Sequence, residues 1–583
     1  MYAACRFRYT WCADRPHPDG NLDRTPFRRL RLSDRAAMSS RLARSAGVIS
    51  IATMGSRLLG VAREAALARI FGASAGPAMD AFNVAFRVPN LVRDLFAEGA
   101  MTAAFVPTFS RTLNTSGRDA AWRLGNLVIN ALLLVTVVLS LLGILFAAPI
   151  TRLITTGDLT SWPLHALGFD VPPQPGFANV EGKLELTTRL TQIMMPFLTT
   201  VAVAVAMMGM LNSLGRFFIP ALSPAMFNVV TILACFTLVP AMPWFGLPEI
   251  AGIAVATVLG GIAQIAVQWP TLRREGFRYR PTLDFRDPDV REILRLMGPG
   301  TLGLAAVQIN VLVNTSLAAT QQEGAVSWLQ FAFRLMYLPI GLFGVSIATA
   351  SLPDLSRHAV ETDKAAMRGT ISNALRMMLM LNVPATIGLI VLARPIIELV
   401  LEHGRFTAHD SAATAAALMC YAPGLLGYSA VKIASPSFYA LGNSRTPVMV
   451  SVASVLLNLV LNLGLVQILG FRGLALGTAI AAMFNAIVLL ALLGRRIGGL
   501  DMSRVLVTFV KVLAASLVMG AAAYFSEDWL RLQLPGSEWY WRAIRVFSSI
   551  GVGVVVLLIS ARLLGLAELK EAMNRVVRRV ARR

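Results

Sequence analysis

Long apolar stretches separated by short polar loops fill residues 46–566 of this chain. Several carry no charge at all and reach the roughly 20 residues that a helix needs to cross a bilayer. Because lipid offers the backbone no hydrogen-bond partners, runs of this length predict helices. The pattern predicts about fourteen membrane spans. They lie near 46–71, 79–108, 124–149, 186–214, 217–240, 250–271, 293–320, 327–353, 371–393, 411–441, 446–469, 473–494, 505–526 and 543–566.

Composition agrees with a membrane protein, since 56% of the residues are hydrophobic and 15% are charged, unlike the usual soluble balance. The net charge of +21 lies largely in alternate loops and in the tails. Loops after even-numbered spans are basic and loops after odd-numbered spans nearly lack Lys and Arg. The positive-inside rule therefore predicts that both termini are cytoplasmic. Basic tails of this kind fit anionic lipid, and no nucleic-acid-binding motif accompanies them.

The chain shows no signature of catalysis. Its four cysteines and five histidines have no metal-ligand spacing, and no nucleophile arrangement or phosphate-binding glycine loop is present. We therefore expect no enzymatic activity, no metal and no cofactor. Residues 1–37 mix Pro, Arg and Asp without periodicity, and we expect a disordered extension there.

The first two spans carry charges where hydrocarbon is expected. A charged side chain at the bilayer centre costs roughly 2.5–3.5 kcal/mol on insertion scales, so such groups normally face a bundle interior or a wet cavity. The pattern therefore predicts a polar pathway through the membrane. The residues concerned are Arg57, Arg63, Glu64, Asp80, Arg87, Arg93, Asp94 and Glu98.

An internal repeat organises the chain. Ala85-Phe86-Arg87 recurs as Ala332-Phe333-Arg334, and the Pro-containing segments that follow recur at the same offset of 246–247 residues. The repeat predicts an all-α polytopic protein with two pseudo-symmetric six-helix lobes and a site between them, plus two extra C-terminal helices. The predicted parts are the extension 1–37, the N-lobe 38–272, a cytoplasmic linker 273–292, the C-lobe 293–494, the last two helices 495–566 and a basic cytoplasmic tail 567–583.

Motifs in the first two spans resemble the MurJ/MviN family of lipid II flippases, in the multidrug/oligosaccharidyl-lipid/polysaccharide superfamily. The similarity continues through the second half of the chain and covers essentially residues 39–566. The matching segments include SRLLGVARE at 56–64, RIFG at 69–72, DAF at 80–82, PNL at 89–91, FAEGA at 96–100, MGP at 297–299 and EHGRFT at 402–407.

The resemblance implies a multi-pass protein of the bacterial inner membrane. Such a protein moves undecaprenyl-pyrophosphate-linked disaccharide peptide, called lipid II, to the outer leaflet by alternating access. It also implies that the last two helices line a groove for the lipid tail. Membrane lipids and cell-wall synthesis proteins are the further partners that we expect, and the energy source, membrane potential or an ion, stays open.

The resemblance implies that cavity arginines bind the substrate, here Arg57, Arg63, Arg93 and Arg334. Guanidinium groups suit this role because their donors match phosphate oxygens bidentately. The supporting charged residues that we expect are Glu64, Asp80, Arg87, Asp94, Glu98 and Lys432.

Several alternatives stay open. Arg93 is either a ligand or a partner of Asp94, Arg87 is more easily explained as a lobe-packing residue, and Lys432 either reaches the cavity or snorkels. Phe333 stands before Arg334 where some relatives have Asp. The function alternatives are a cation-coupled drug exporter, a flippase for another lipid-linked oligosaccharide, and a membrane scaffold. A sodium site is not supported, because the amides at 310, 314, 458 and 462 come without a carboxylate.

Overall fold

In the computed structural model, the described residues are 54–95, 101–156, 182–361 and 363–566. Within these helices, the side chains of 101–103, 298–304 and 306 are not described. All regular elements of the described residues are helical, which confirms the all-α prediction. The extension 1–37, the tail 567–583 and Glu98 lie outside the described residues.

The first half of the described chain forms the helices that we call the first lobe. Two short helical turns, Leu238–Ala241 and Met242–Phe245, connect its last two helices. The helices are α1 (54–71), α2 (Ala78–Arg93), α3 (Met101–Thr115), α4 (Gly117–Leu145), α5 (Ala147–Thr155), α6 (Lys183–Met194), α7 (Phe197–Ser213), α8 (Phe218–Phe236) and α9 (Ala251–Arg274).

The second lobe, α10 to α18, is followed by α19 and α20. A π-helical turn, Ile340–Gly344, joins α11 to α12 after Pro339, whose missing N–H interrupts the α-helical bonding. The helices are α10 (Pro288–Ala319), α11 (Ala325–Pro339), α12 (Val345–Val360), α13 (Lys364–Val391), α14 (Ala393–Val400), α15 (Ala408–Tyr421), α16 (Gly424–Ala440), α17 (Arg445–Leu469), α18 (Phe471–Ile497), α19 (Met502–Gln533) and α20 (Trp539–Leu563).

Ten helices of the described part are long and apolar enough to cross a membrane, or eleven if α15 and α16, bent by 43° at their junction, form one span. The bend follows from Pro423, which lies between the two helices. Each predicted span overlaps a described helix, and the predicted spans at 46–71, 79–108 and 293–320, which are not among the eleven, all contain residues that are not fully described.

The lobes share one apolar core at one end of the molecule. This shared core joins Phe71 and Met79 of the first lobe to Trp328, Phe331 and Phe406 of the second. Elsewhere the cores are separate, one around α3, α4, α7 and the first turns of α10, the other around α13, α16, α18 and α19. We call the two ends of the molecule the shared-core end and the split-core end.

Glycines allow two loops to interlock at the shared-core end. Gly72 has a φ of +68° and Gly404 a φ of +63°, a region that side chains disfavour. A Cβ on Gly72 would overlap the Arg405 carbonyl, and a Cβ on Gly404 would overlap the Arg69 carbonyl. Arg405 N donates to that Arg69 carbonyl at 2.9 Å. The backbones of the two lobes therefore approach as closely as glycine permits.

The loop around Gly404 also holds α20. Arg542 Nη1 donates to the carbonyls of Glu398 and Glu402 at 2.8 and 3.1 Å, and Nη2 donates to the Glu402 carboxylate at 3.1 Å. Burial, followed by the nearby charges of Arg542 and Arg69, lowers the pKa of His403. The imidazole is therefore neutral at neutral pH, and the loop gains no further cation there.

Gly404→Ala tests the interlock. The strained φ costs about 1–2 kcal/mol at any such position, and the overlap with Arg69 adds to this only at residue 404. Gly246→Ala is the matched control, because Gly246 has a φ of +68° with nothing within 4 Å of its added Cβ. We expect a clearly larger fall in melting temperature in detergent for Gly404→Ala. Equal falls for the two variants would contradict the interlock.

Candidate functional site

Glu64 of α1 lies between two arginines from different lobes. Its Oε1 atom accepts from Arg63 Nη2 at 2.5 Å and from Arg334 Nη2 of α11 at 3.0 Å. The Glu64 side chain is 6% exposed, whereas that of Arg334 is 40% exposed. One carboxylate thus holds two guanidinium groups, and the cluster keeps an excess of positive charge. We call Arg63, Glu64 and Arg334 the arginine cluster.

Arg63 is held in place but is not fully bonded. Its guanidinium lies 5.3 Å from the centroid of the Phe227 ring, within the range of a cation–π interaction. Its buried Nε has no hydrogen-bond partner among the described residues. Since buried donors are normally paired, this free donor marks a place where an anionic ligand adds a bond.

Arg57 lies against the π-helical turn of the second lobe. A Cβ built on Gly341 of that turn would overlap the Arg57 guanidinium, so the guanidinium lies directly against the Gly341 backbone. π-Helical turns occur mostly at functional sites. Gly341 follows Arg334 by two helical turns, and Arg57 therefore contacts the same helical segment as the arginine cluster.

Arg93 and Arg87 of α2 have partners of their own. Arg93 donates to Asp94 Oδ1 from Nε at 3.0 Å and from Nη2 at 2.7 Å. Asp94 Oδ2 also accepts from Gln308 of α10 at 3.1 Å. Arg87 Nη2 donates to Gln330 Oε1 of α11 at 2.7 Å. Both arginines therefore lie where α2 contacts second-lobe helices.

Asp80 lies apart from the arginine cluster, at the shared-core end. It is 2% exposed, and it accepts from Ser327 N at 3.0 Å, Ser327 Oγ at 2.6 Å, Gly324 N at 2.8 Å and Lys183 Nζ at 3.3 Å. Gly324 and Ser327 form the start of α11, whose free N–H groups and positive dipole end favour a carboxylate. Asp80 thus ties the first lobe to the N-terminus of α11.

Asp410 forms a reciprocal tie from the second lobe. It completes a capping box with Thr407 at the start of α15, and its Oδ1 accepts from Ser74 Oγ of the first lobe at 2.6 Å. Trp328 Nε1 donates to the same oxygen at 2.8 Å. The T-x-x-D spacing is a sequence signal for a cap, but no sequence signal points to Ser74. Neither Asp410 nor Lys183 was among the site residues predicted from the sequence.

Lys432 is exposed on α16, and among the described residues no hydrogen bond or ion pair joins it to the arginine cluster. Three of the four amides weighed as a sodium site bond to one another, since Asn314 Nδ2 donates to Asn458 Oδ1 at 3.1 Å and Asn462 Nδ2 donates to Asn314 Oδ1 at 2.6 Å. The buried Oδ1 of the fourth, Asn310, has no hydrogen-bond partner among the described residues. Across the described residues, no group of three or more His, Cys, Asp or Glu side chains could hold a metal ion.

Comparison with known proteins shows the family to which this chain belongs. The family model described as lipid II flippase MurJ matches residues 67–539. The chain belongs to the lipid II flippase MurJ family. It is 34% identical over 548 residues to the probable lipid II flippase MurJ of Vibrio cholerae, covering 92% of this chain and 99% of that protein. It is 32% identical to the lipid II flippase MurJ of Burkholderia cenocepacia, covering 82% of this chain and 89% of that protein.

Solved structures agree on the fold. A lipid II flippase MurJ in an inward closed conformation matches with a TM-score of 0.69 and 26% identity, covering 88% of this chain and 99% of that one. An inward-facing multidrug resistance MATE family transporter matches with a TM-score of 0.60 at 16% identity, covering 76% and 94%, which shows the fold alone. The MurJ family consists of transporters, so the chain is a multi-pass inner-membrane transporter and not an enzyme.

Asp80→Asn tests the shared-core tie. Removing one partner of a buried ion pair typically costs about 3–5 kcal/mol, because the other charge stays buried. We expect Asp80→Asn to lower the melting temperature in detergent, and Lys183→Met to lower it less in the Asp80→Asn protein than in the wild type. Asp528→Asn, an exposed site, is the control and should change little. Equal effects of Lys183→Met in both backgrounds would refute the pairing.

Proposed function

We propose that this protein moves lipid II from the inner to the outer leaflet of the cytoplasmic membrane by alternating access, with the arginine cluster as its pyrophosphate site. Family membership supports the substrate. The observation that carries the site is the meeting of Arg63, Glu64 and Arg334 between the lobes. A contact made by both lobes is the kind that a ligand between them can change.

The chemistry of the cluster fits a pyrophosphate. Without substrate, Glu64 offsets the repulsion between two guanidinium groups that lie in a region of low dielectric. A pyrophosphate brings more negative charge and more acceptor oxygens than one carboxylate, and guanidinium forks bind such oxygens bidentately. The substrate therefore replaces Glu64 as the partner of Arg334 and fills the free Arg63 Nε. Arg57, beside the π-helical turn, is placed to add a further fork.

The direction of transport follows from loop charge. At the shared-core end, the loops around residues 72–77 and 320–324 contain no Lys or Arg, and the loop 401–407 contains only Arg405. Short cytoplasmic loops are normally rich in such residues. We therefore propose that both termini are cytoplasmic and that the shared-core end faces outward. In this state the outer end is held by Asp80, Asp410 and the glycine interlock. Outward release of substrate requires those contacts to separate.

We assign further parts in the same scheme. The N-lobe 38–272 and the C-lobe 293–494 move about the linker 273–292, and 495–566 forms the groove for the lipid tail. Exposed apolar side chains on α19 and α20, such as Leu517, Phe525 and Phe547, support the groove, since such surface suits lipid. Cell-wall synthesis proteins are proposed partners through the basic cytoplasmic loops.

The alternatives lack a supporting observation. A cation-coupled drug exporter would need an acidic or aromatic site for cationic drugs, whereas the interlobe cluster here has two guanidinium groups to one carboxylate. A flippase for another lipid-linked oligosaccharide would share the pyrophosphate chemistry. The residues of the site therefore do not separate these two flippase functions, whereas an assay with lipid II as the substrate does.

Arginine substitutions test the site in cells depleted of the native protein. We expect Arg334→Ala and Arg63→Ala to reduce lipid II exposure at the outer leaflet at least tenfold with normal membrane abundance, because each removes a charged donor worth about 1.5–3 kcal/mol. Arg334→Lys keeps the positive charge but loses the forked donor geometry, so it should recover only part of the lipid II exposure that Arg334→Ala loses. Arg57→Ala and Arg93→Ala show whether those residues also contribute.

Arg445→Ala is the control, because Arg445 is exposed at the start of α17, and it should leave exposure unchanged. Wild-type lipid II exposure in the Arg63→Ala, Arg334→Ala double variant would contradict the proposed site. Such a result would favour a scaffold role for the membrane protein.

A further inference from the structure

The segment 277–286, which connects α9 to α10, is bound along α4 by two asparagines, and we call it the linker strap. Asn126 Nδ2 donates to the Arg278 carbonyl at 3.0 Å, and Asn126 Oδ1 accepts from Arg280 N at 2.9 Å. Asn130 Nδ2 donates to the Arg280 carbonyl at 2.8 Å. Both asparagines are buried. The backbone of the linker strap therefore has a defined position on the first lobe.

Aromatic packing also holds the start of the linker strap. Phe277 is buried in the first-lobe core of the split-core end. Its ring centroid lies 5.5 Å from that of Trp122 and 6.1 Å from that of Trp269. Tyr279 Oη donates to Asn130 Oδ1 at 2.7 Å, while the rest of the Tyr279 side chain stays exposed. Because this backbone is already ordered, a ligand that binds the exposed side chains orders little additional chain.

The end of α9 and the linker strap present four exposed arginines whose guanidinium groups make no hydrogen bond or ion pair with any described residue. They are Arg273, Arg274, Arg278 and Arg280. Glu275 is the one carboxylate of residues 273–283. It accepts from Arg216 Nε at 2.8 Å and lies 3.8 Å from Arg118 Nη2, so it is already paired. The positive charge of the linker strap is therefore available to an anionic ligand.

Apolar side chains of the linker strap are exposed beside these cations. Leu283 is 51% exposed and Phe285 is 44% exposed. On α4, which is long and apolar enough to cross a membrane, the exposed apolar surface begins at Leu134, about one helical turn beyond Asn130. The linker strap thus lies where the lipid-facing surface of the first lobe begins. Amphipathic aromatic side chains such as Tyr279 are enriched at this level of membrane proteins.

We propose that the linker strap lies on the bilayer surface at the split-core end and binds anionic phospholipids. Arg278 and Arg280 bind the lipid phosphates, and the exposed side chains of Tyr279, Leu283 and Phe285 lie at the boundary between headgroups and acyl chains. Charge complementarity selects this partner, because cations beside membrane spans attract anionic lipid and guanidinium forks match phosphate oxygens. The proposal does not rest on the flippase function, since it uses no residue of the arginine cluster.

Fluorescence quenching of the full-length protein in nanodiscs tests the proposal. Thr282→Cys, in a protein with its native cysteines replaced, places a fluorophore at an exposed position of the linker strap. The quenchers are brominated phosphatidylglycerol and brominated phosphatidylcholine, compared in discs of identical headgroup composition. We expect the fluorophore to report a local preference for phosphatidylglycerol. Arg278→Gln, Arg280→Gln should lower that preference about 30-fold, from about 1 kcal/mol for each cation near an anionic headgroup, and Arg280→Gln alone about fivefold.

Arg495→Gln, Arg496→Gln is the matched control, because it removes two exposed cations from the last turn of α18 in the second lobe and should leave the preference unchanged. Equal preference in the linker strap variant and this control would overturn the proposal. Equal quenching by the two lipids in the wild type, or quenching by neither, would overturn it as well. Loss of the preference in millimolar inorganic phosphate, but not in sodium chloride of equal ionic strength, would assign the arginines to free phosphate instead of lipid.

Discussion

A single carboxylate between two guanidinium groups links the lobes of this protein near the middle of the fold. Glu64 and Arg63 belong to the first lobe, and Arg334 belongs to the second. Charges buried in a membrane protein need partners, so any ligand that takes Arg334 from Glu64 also changes the contact between the lobes. In the proposed function, binding of a pyrophosphate and movement of the lobes are therefore one event, without a separate signal passing between them.

The shared-core end is suited to reversible contact. Above its apolar core, the lobes meet through hydrogen bonds to Asp80 and Asp410 and through two interlocked glycine loops. Such bonds can be exchanged for water when the end opens, whereas each of the two cores of the split-core end is packed separately. In the proposed function the lobes move as rigid bodies. α10 begins in the core of the first lobe through Val290 and Ile293, so its first turns pack with that lobe.

Much of this architecture can be predicted from the sequence, because charged residues within apolar spans are recognisable without knowledge of the fold. Arg63 and Glu64 are found in this way, and the repeat that pairs Arg87 with Arg334 identifies the matching helix of the other lobe. The partners of those charges depend on packing between distant segments. Asp80 shows the limit, since periodicity predicts its helix face but not its depth, and only the fold brings it to the start of α11 and to Lys183.

Alternating access through the shared-core end is tested most directly by linking the two lobes covalently there. Cysteines would be introduced at Ala75 and Arg405, which flank the Gly72 contact, in a protein with its native cysteines replaced, and joined by a short reducible crosslinker. If the shared-core end must open for release, the crosslinked protein binds lipid II but exposes none at the outer leaflet of vesicles until the crosslink is reduced. Lipid II exposure at the wild-type rate with the crosslink intact would contradict alternating access through this end.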